Sequence, residues 1–264
     1  MKILITGTNG YVGKSLYNAL KDEHNVTGLT RNNFDLTDSS ETFNFFIDKY
    51  FDVVIHCAVV GGSRLKMDDN DVLDNNLKMY YNLLDNKYHF NKLIHLGSGA
   101  ELHLQDTLYG LSKHVIRTSL LNQNNFYNLR IFSVFDENEL ETRFIKTNLK
   151  KYINKQPIEI FHNKKMDFFY MEDLATLIKF YIFNDNLPKE INCNYNYTPY
   201  MLDIADVING LDSHKIDIKM LDIKNIPQKT FVENYCGDFT DLGINYIGLE
   251  QGIKNVYNKL KNEH

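Results

Sequence analysis

The sequence predicts an α/β protein with a doubly wound parallel sheet and a small C-terminal α/β lobe. Three observations lead there. An apolar run at the extreme N-terminus, Lys2–Thr6, passes directly into a glycine-rich turn and an amphipathic stretch from Lys14 to Leu20. Further short apolar runs then alternate with segments of helical period, the pattern of a parallel sheet covered by helices. Polar residues able to do chemistry fall just past the carboxyl ends of those runs, where open parallel sheets bind ligands.

The first element, Lys2–Thr6, reads as a buried strand. The turn after it is Gly7-Thr8-Asn9-Gly10-Tyr11-Val12-Gly13. Strand, glycine turn and helix in this order form the setting of a dinucleotide fingerprint. Gly7 permits the tight turn, Gly10 lets a pyrophosphate approach the backbone, and Gly13 lets the helix pack on the strand. The helix N-terminus offers unpaired N–H groups to phosphate. Asn9, Tyr11 and Val12 are therefore cofactor-binding candidates along with the three glycines.

His24–Leu29 reads as the second strand, followed by Thr30-Arg31-Asn32-Asn33. An acidic residue at this place would hold the ribose hydroxyl of NAD, whereas Arg31 suits the 2′-phosphate of NADP. NADPH is thus the expected cofactor, with NAD(H) as the other possibility. Asp35 and Leu36 begin a short segment expected on the adenine side, and Asp38 or Ser39 suits a helix N-cap. Phe51–Cys57 reads as a buried strand. Cys57, Ala58 and Val59 at its end are expected to pass close to the cofactor, with Gly61 nearer the substrate. Asp71–Asn86 is a helix carrying Asn76, and the adjacent Asn75 leaves the register open by one residue.

Lys92–Leu96 reads as a strand that delivers Ser98, followed by Gly99 and Ala100. Tyr109 and Lys113 lie four residues apart on a helix predicted from Tyr109 to Leu121, so phenol and ammonium share one face. A cation near the phenol favours its ionised form and tunes it for proton transfer. Tyr127–Phe132 is a further strand that leads to Ser133. Arg143–Ile153 is a helix and Ile158–Phe161 a short strand. Asp173, within the segment Asp167–Ala175, is expected to cap the next helix. Helices at Met201–Gly210 and Leu249–Lys261 complete the chain.

Composition narrows the function. The chain has 264 residues, 43% hydrophobic and 24% charged, with net charge −5. That is an ordinary globule without the basic surface that nucleic acid requires. Cys57, Cys193 and Cys236 lie far apart, without metal-ligand spacing, and fit a reducing compartment. No run is long and apolar enough for a membrane span, and a cytoplasmic protein without a metal is expected.

The spacing Gly-x-x-Gly-x-x-Gly, with Ser98 and Tyr-x-x-x-Lys downstream, resembles the extended short-chain dehydrogenases/reductases, the epimerase/dehydratase family that acts on nucleotide sugars. The resemblance covers nearly the whole chain. Three segments are similar to its GDP-L-fucose synthase-like 4-ketoreductases: Thr30-Arg31 leading into Phe34–Asp38, Val59-Val60-Gly61-Gly62, and Leu96-Gly97-Ser98.

Several expectations follow from the resemblance. Residues 1–135 would form a Rossmann-type NADP-binding core, to which parts of about 163–185 return. Residues 136–264 would form mainly a substrate-binding lobe. Ser98, Tyr109 and Lys113 would be catalytic, with Tyr109, Lys113 and Asn76 also at the cofactor. Gly61, Ser98, Gly99, Ala100, Ser133, Arg143 and Lys165 would meet a nucleoside-diphosphate sugar. Lys165 or Arg143 would replace a family arginine that is Met166 here. A homodimer through the helices at 71–86 and 109–121 is implied.

Dehydratases of the family place Asp-Glu directly after the hydroxyl residue; here Gly99 and Ala100 follow Ser98, so elimination is not expected. The synthase's epimerising Cys falls at Ala100 and its His near Glu137 or Asn138, so reduction without C3/C5 epimerisation is expected. His103 is the nearest substitute. The alternatives are an NAD-dependent 4-epimerase, a bifunctional epimerase/reductase and a non-catalytic NADP-binding protein.

Overall fold

The computed structural model describes residues 1–63, 67–221 and 234–263. In chain order, β1 (Lys2–Thr6), α1 (Tyr11–Leu20), β2 (Asn25–Leu29), α2 (Ser39–Phe46), β3 (Phe51–His56) and α3 (Val72–Asp85) come first. Then follow β4 (Phe90–Ser98), α4 (Ala100–His103), α5 (Leu108–Leu121) and β5 (Phe126–Ile131). The remainder holds β6 (Val134–Phe135), α6 (Phe144–Ile153), β7 (Ile158–Ile160), β8 (Phe169–Tyr170), α7 (Met171–Phe183), β9 (Glu190–Cys193), α8 (Met201–Asn209), β10 (Ile218–Met220) and α9 (Leu249–Asn262).

The chain divides into two compact units. One comprises 1–131 and 177–191, the other 132–176 and 192–263, with a boundary inside α7. The main sheet runs in the order β2-β1-β3-β4-β5-β9. Its registered pairs from β2 to β5 are all parallel. The order reverses between β1 and β3, and at such a switch point the chains leaving two neighbouring strands diverge and open a crevice. The doubly wound α/β fold predicted from the sequence is the one observed.

Local chemistry explains the elements of the first unit. β1 and β3 are almost wholly buried, which is why they read as continuous apolar runs. On α1 the residues facing inward are Gly13, Leu16 and Leu20, a helical spacing. The Asp38 carboxylate accepts the Glu41 N–H at 2.8 Å and starts α2, as expected. Thr107 does the same for α5 through the Gly110 N–H at 3.0 Å. Leu4, Val54, Tyr80, Leu83 and Leu93 form the centre of this unit's core. The second unit has its own core, around Phe135, Tyr152, Ile158, Tyr170, Ile253 and Val256.

Two expectations are corrected here. β4 extends from Phe90 to Ser98 instead of 92–96, because Gly97 and Ser98 still pair with Arg130 and Ile131 of β5. Asp173 lies inside α7 and does not cap it. Its carboxylate instead accepts the N–H groups of Ile247 (2.7 Å) and Gly248 (3.0 Å) and the Tyr195 hydroxyl (2.5 Å), holding the entry to α9. Among the described residues no helix is long and apolar enough to cross a membrane.

Candidate active site

At the switch point the end of β1 lies against the end of β3. Gly7 has φ +74°, and a Cβ there would stand 2.7 Å from the Ala58 backbone. A side chain at Gly13 would meet the Gly7 carbonyl oxygen at 2.4 Å. Only glycine fits either place, and the loop can therefore press flat against α1. Gly10 is the N-cap of α1, no side chain covers the cap, and the first turn carries no acidic residue. The helix dipole favours an anion at this end, although the Gly10 N–H itself is turned back to the Gly7 carbonyl at 2.9 Å. This cradle, bare of side chains, fits a dinucleotide pyrophosphate. Asn9 and Gly10 are exposed, and Tyr11 and Val12 half-buried, at its rim.

After β2, Arg31 is exposed. Asp35 is nearby, but its carboxylate already accepts the Thr37 N–H (3.0 Å) and hydroxyl (2.7 Å). These bonds, with Arg31 adding to them, hold it below the usual carboxylate range. Leu36, expected beside the cofactor, belongs to the core, and its carbonyl accepts from Asn82 at 2.9 Å. Asn76 is the buried member of the Asn75–Asn76 pair. Its Oδ1 accepts the Val60 N–H at 2.8 Å, while Nδ2 donates to the Val60 carbonyl (2.9 Å) and the Ser112 hydroxyl (3.0 Å). Asn76 therefore ties the loop after β3 to α5, and its amide is occupied by protein.

That loop comes close to Tyr109. Gly62, with φ +73°, would place a Cβ 2.7 Å from Tyr109 Cζ, so the glycine lies flat on the phenol ring. Its N–H donates to Asp68 Oδ1 at 2.8 Å. Sequence reasoning marked Gly61 as a ligand contact and missed Gly62; the Val-Val-Gly-Gly run was the only signal. Cys57 and Ala58 are half-buried and Val59 exposed. Burial pushes the Cys57 thiol up to about 12, which keeps it protonated.

Ser98 ends β4 and is 8% exposed. Its Oγ accepts the Ala100 N–H at 3.2 Å, which leaves the hydroxyl hydrogen to be donated. Ala100 itself is 1% exposed, so its side chain does not present a surface to a ligand as expected. Gly99 is buried too, and its N–H donates to Ile131 O at 2.9 Å.

Glu101, to which sequence reasoning assigned no role, is fully buried. It accepts from Arg130 Nε (2.5 Å), Asn128 Nδ2 (2.7 Å) and the Ser98 N–H (3.3 Å). Lys113, one turn beyond Tyr109 on α5, is 4% exposed. Its Nζ donates to the Leu96 carbonyl at 2.6 Å. Burial lowers its pKa to about 8, against the opposing pull of Glu101 and Cys57.

Ser98, Tyr109 and Lys113 are thus all built on β4 and α5 of one compact unit. Three expected substrate residues lie in the other. Ser133 is buried and its carbonyl accepts the Phe169 N–H at 2.8 Å. Arg143 precedes α6 as its N-cap. Lys165 is held through its backbone by Asn234 and Tyr235, with Nζ 5.3 Å from the Tyr200 ring centroid.

A parallel sheet with a switch-point glycine cradle, and a Ser/Tyr/Lys set on the next strand and helix, defines the class as extended short-chain dehydrogenase/reductase. The model of the NAD dependent epimerase/dehydratase family matches residues 3–194, and the chain belongs to that family. GDP-L-colitose synthase of Yersinia pseudotuberculosis is 27% identical over 260 residues, covering 79% of this chain and 82% of that protein. The structure of a Campylobacter jejuni GDP-mannoheptose C4 reductase with NADP bound is similar with a TM-score of 0.81, at 17% identity and 98% coverage of both chains. UDP-glucose 4-epimerase of Thermus thermophilus in complex with NAD gives 0.76 at 15% identity, again over 98% of each chain. The two structural likenesses concern the fold.

Proposed function

We propose that this protein reduces the C4 ketone of a nucleoside-diphosphate 4-keto-6-deoxy sugar, hexose or heptose, with NADPH and without inverting C3 or C5. The observation that carries the reading is the set of Ser98, Tyr109 and Lys113 beside the glycine cradle in one unit. Gly7, Gly10 and Gly13 would hold the pyrophosphate, and Arg31 the 2′-phosphate. The nicotinamide supplies hydride when bound.

The chain's own residues do the rest. The Ser98 hydroxyl donates to the ketone oxygen and polarises it. Tyr109, its ring fixed against Gly62, gives its proton to the oxygen that becomes the C4 hydroxyl. Lys113 holds positive charge on the helix face it shares with Tyr109 and would hydrogen-bond the cofactor ribose. Retention at C3 and C5 is supported by Ala100, which has no ionisable group, and by Glu101, whose carboxylate is occupied by Arg130 and Asn128. Preference for NADPH is supported by the exposed Arg31 after β2, with the carboxylate of Asp35 engaged by Thr37.

The test is to mix purified protein with NADPH and a panel of 4-keto-6-deoxy nucleotide sugars and follow the absorbance of the reduced nicotinamide. Oxidation with one of them, and a product whose proton NMR shows C3 and C5 unchanged, is expected. In Tyr109→Phe, turnover should fall by about 10²- to 10⁴-fold with cofactor affinity nearly intact. No oxidation with any panel member, together with NAD co-purifying, would replace this reading with a 4-epimerase.

A further inference from the structure

β4 carries a histidine that the proposed reaction does not use. His95 is 1% exposed and pairs in strand register with His56 of β3, their ring centroids 5.2 Å apart. The His56 Nδ1 has a partner, the Thr6 hydroxyl at 2.9 Å. The His95 Nδ1 is buried with no hydrogen-bond partner among the described residues. Its other nitrogen, Nε2, lies 3.5 Å from Lys113 Nζ. Burial, with the Lys113 charge second, pushes both imidazoles far below their usual range, so both are neutral.

The tautomer follows from these contacts. An ammonium has only hydrogens to offer, so a neutral imidazole must turn the lone pair of Nε2 toward it and keep its hydrogen on Nδ1. That hydrogen then points into the interior without an acceptor, a penalty that an apolar side chain at 95 would avoid. The arrangement therefore favours Lys113 at the cost of His95.

We propose that His95 is a positioning residue for Lys113: its Nε2 and the Leu96 carbonyl take two of the three ammonium hydrogens, fix Nζ at the end of β4, and leave the third for a ligand. The proposal rests on the reading of Lys113 as a working residue of the site. The titratable groups that interact with Lys113 are His56 on β3, Cys57 just after it, His95 on β4 and Glu101 on α4. Of these, Glu101 favours the charged lysine through its negative charge, while Cys57 stays protonated where Lys113 titrates. His95 is the one whose lone pair meets Nζ directly.

The experiment reads Lys113 without reference to turnover. Protein carrying ¹³Cε/¹⁵Nζ-lysine is titrated by NMR, with the Lys113 signal assigned by its loss in Lys113→Met. In His95→Leu the ammonium loses an acceptor, and its pKa should fall by about one unit from the wild-type value. In His95→Gln the amide oxygen restores an acceptor and should return most of the shift. The alkaline limb of the kcat profile should move with it. Should His95→Leu fail to fold, His95→Phe fills the same space without an acceptor and carries the same expectation. Lys113 titrating alike in the folded apolar variant, His95→Gln and wild type would overturn the proposal. A shift in Lys113 without reduction of any panel sugar would leave His95 as its positioner and reject the reductase reading.

Discussion

Glu101 and Lys113 are both buried charges that bond the end of β4, and the fold answers them differently. The Glu101 carboxylate has Arg130 and Asn128 on one oxygen and the Ser98 N–H on the other. Arg117 stands 3.9 Å away, and Glu190 binds both arginines from the far side. Lys113 receives one carbonyl and the edge of a neutral ring, and no carboxylate of the described residues lies within ion-pair distance of it. A buried charge met by opposite charge and hydrogen bonds on every side holds structure in place. One left half-answered keeps its pKa displaced and its proton or field at the disposal of a ligand. Glu101 holds the Ser98 N–H and Lys113 the Leu96 carbonyl, both at the end of β4, so each can be removed and the consequences compared.

Removing the answered charge should have the largest effect. Glu101→Ala takes the acceptor from buried Asn128 and from Arg130 Nε, leaves Arg130 with Glu190, and frees the Ser98 backbone; breaking a buried pair from one side typically costs about 3–5 kcal/mol. Urea unfolding at neutral pH should show a loss of that order, and Glu101→Gln, which keeps an acceptor, a smaller one. A loss under about 1 kcal/mol in the alanine variant would mean that the network is not structural and that the contrast is misdrawn.

Removing the half-answered charge should act in the opposite direction. Lys113 has a folded pKa of about 8 against an ordinary 10.5. Below about pH 8 the lysine is charged whether folded or unfolded, and the folded state bears the burial penalty in full. Between the two values the folded state has released a proton that the unfolded state keeps, so stability rises with pH across this window. Lys113→Met should therefore unfold at higher urea than wild type at pH 7, by roughly 2 kcal/mol, and lose the rise above pH 8. Its turnover should fall at least about 10²-fold. A variant both inactive and less stable at pH 7 would show that Lys113 holds the fold as Glu101 does.

The contrast also marks what a linear reading can reach. The glycine turn, Ser98, and the Tyr109–Lys113 pair were legible because each is a local pattern, fixed by spacing within a few residues. Asp38 as a cap was legible for the same reason. The partners of the two buried charges were not. His95 meets Lys113 across 18 positions, and Glu101 meets Arg130 across 29. Asp173 was expected to cap its own helix and instead holds backbone 74 and 75 residues on, a choice that only the packing of α9 explains. Asn75 and Asn76 could not be separated by pattern, since neighbours on a helix differ by a rotation that acquires meaning only against β3 and α5. Ala100 was placed at the substrate by its distance from Ser98, but α4 turns it inward.

A third charge extends the comparison to the surface. Arg31 is exposed, and water answers its charge there, so Glu101's structural role is not available to it. What it can do is meet a second anion. A 2′-phosphate would exchange that water for charge-assisted hydrogen bonds, while the hydroxyl of NADH would gain little. Arg31→Ala should leave urea stability within about 0.5 kcal/mol of wild type. It should weaken NADPH about tenfold, which is about 1.4 kcal/mol, and barely change NADH. Fluorescence titration of both cofactors at two salt concentrations separates the cases, because a phosphate contact weakens with added salt. Equal weakening of NADPH and NADH would mean that Arg31 serves the loop after β2 in general, and the expected preference for NADPH would lose its physical basis.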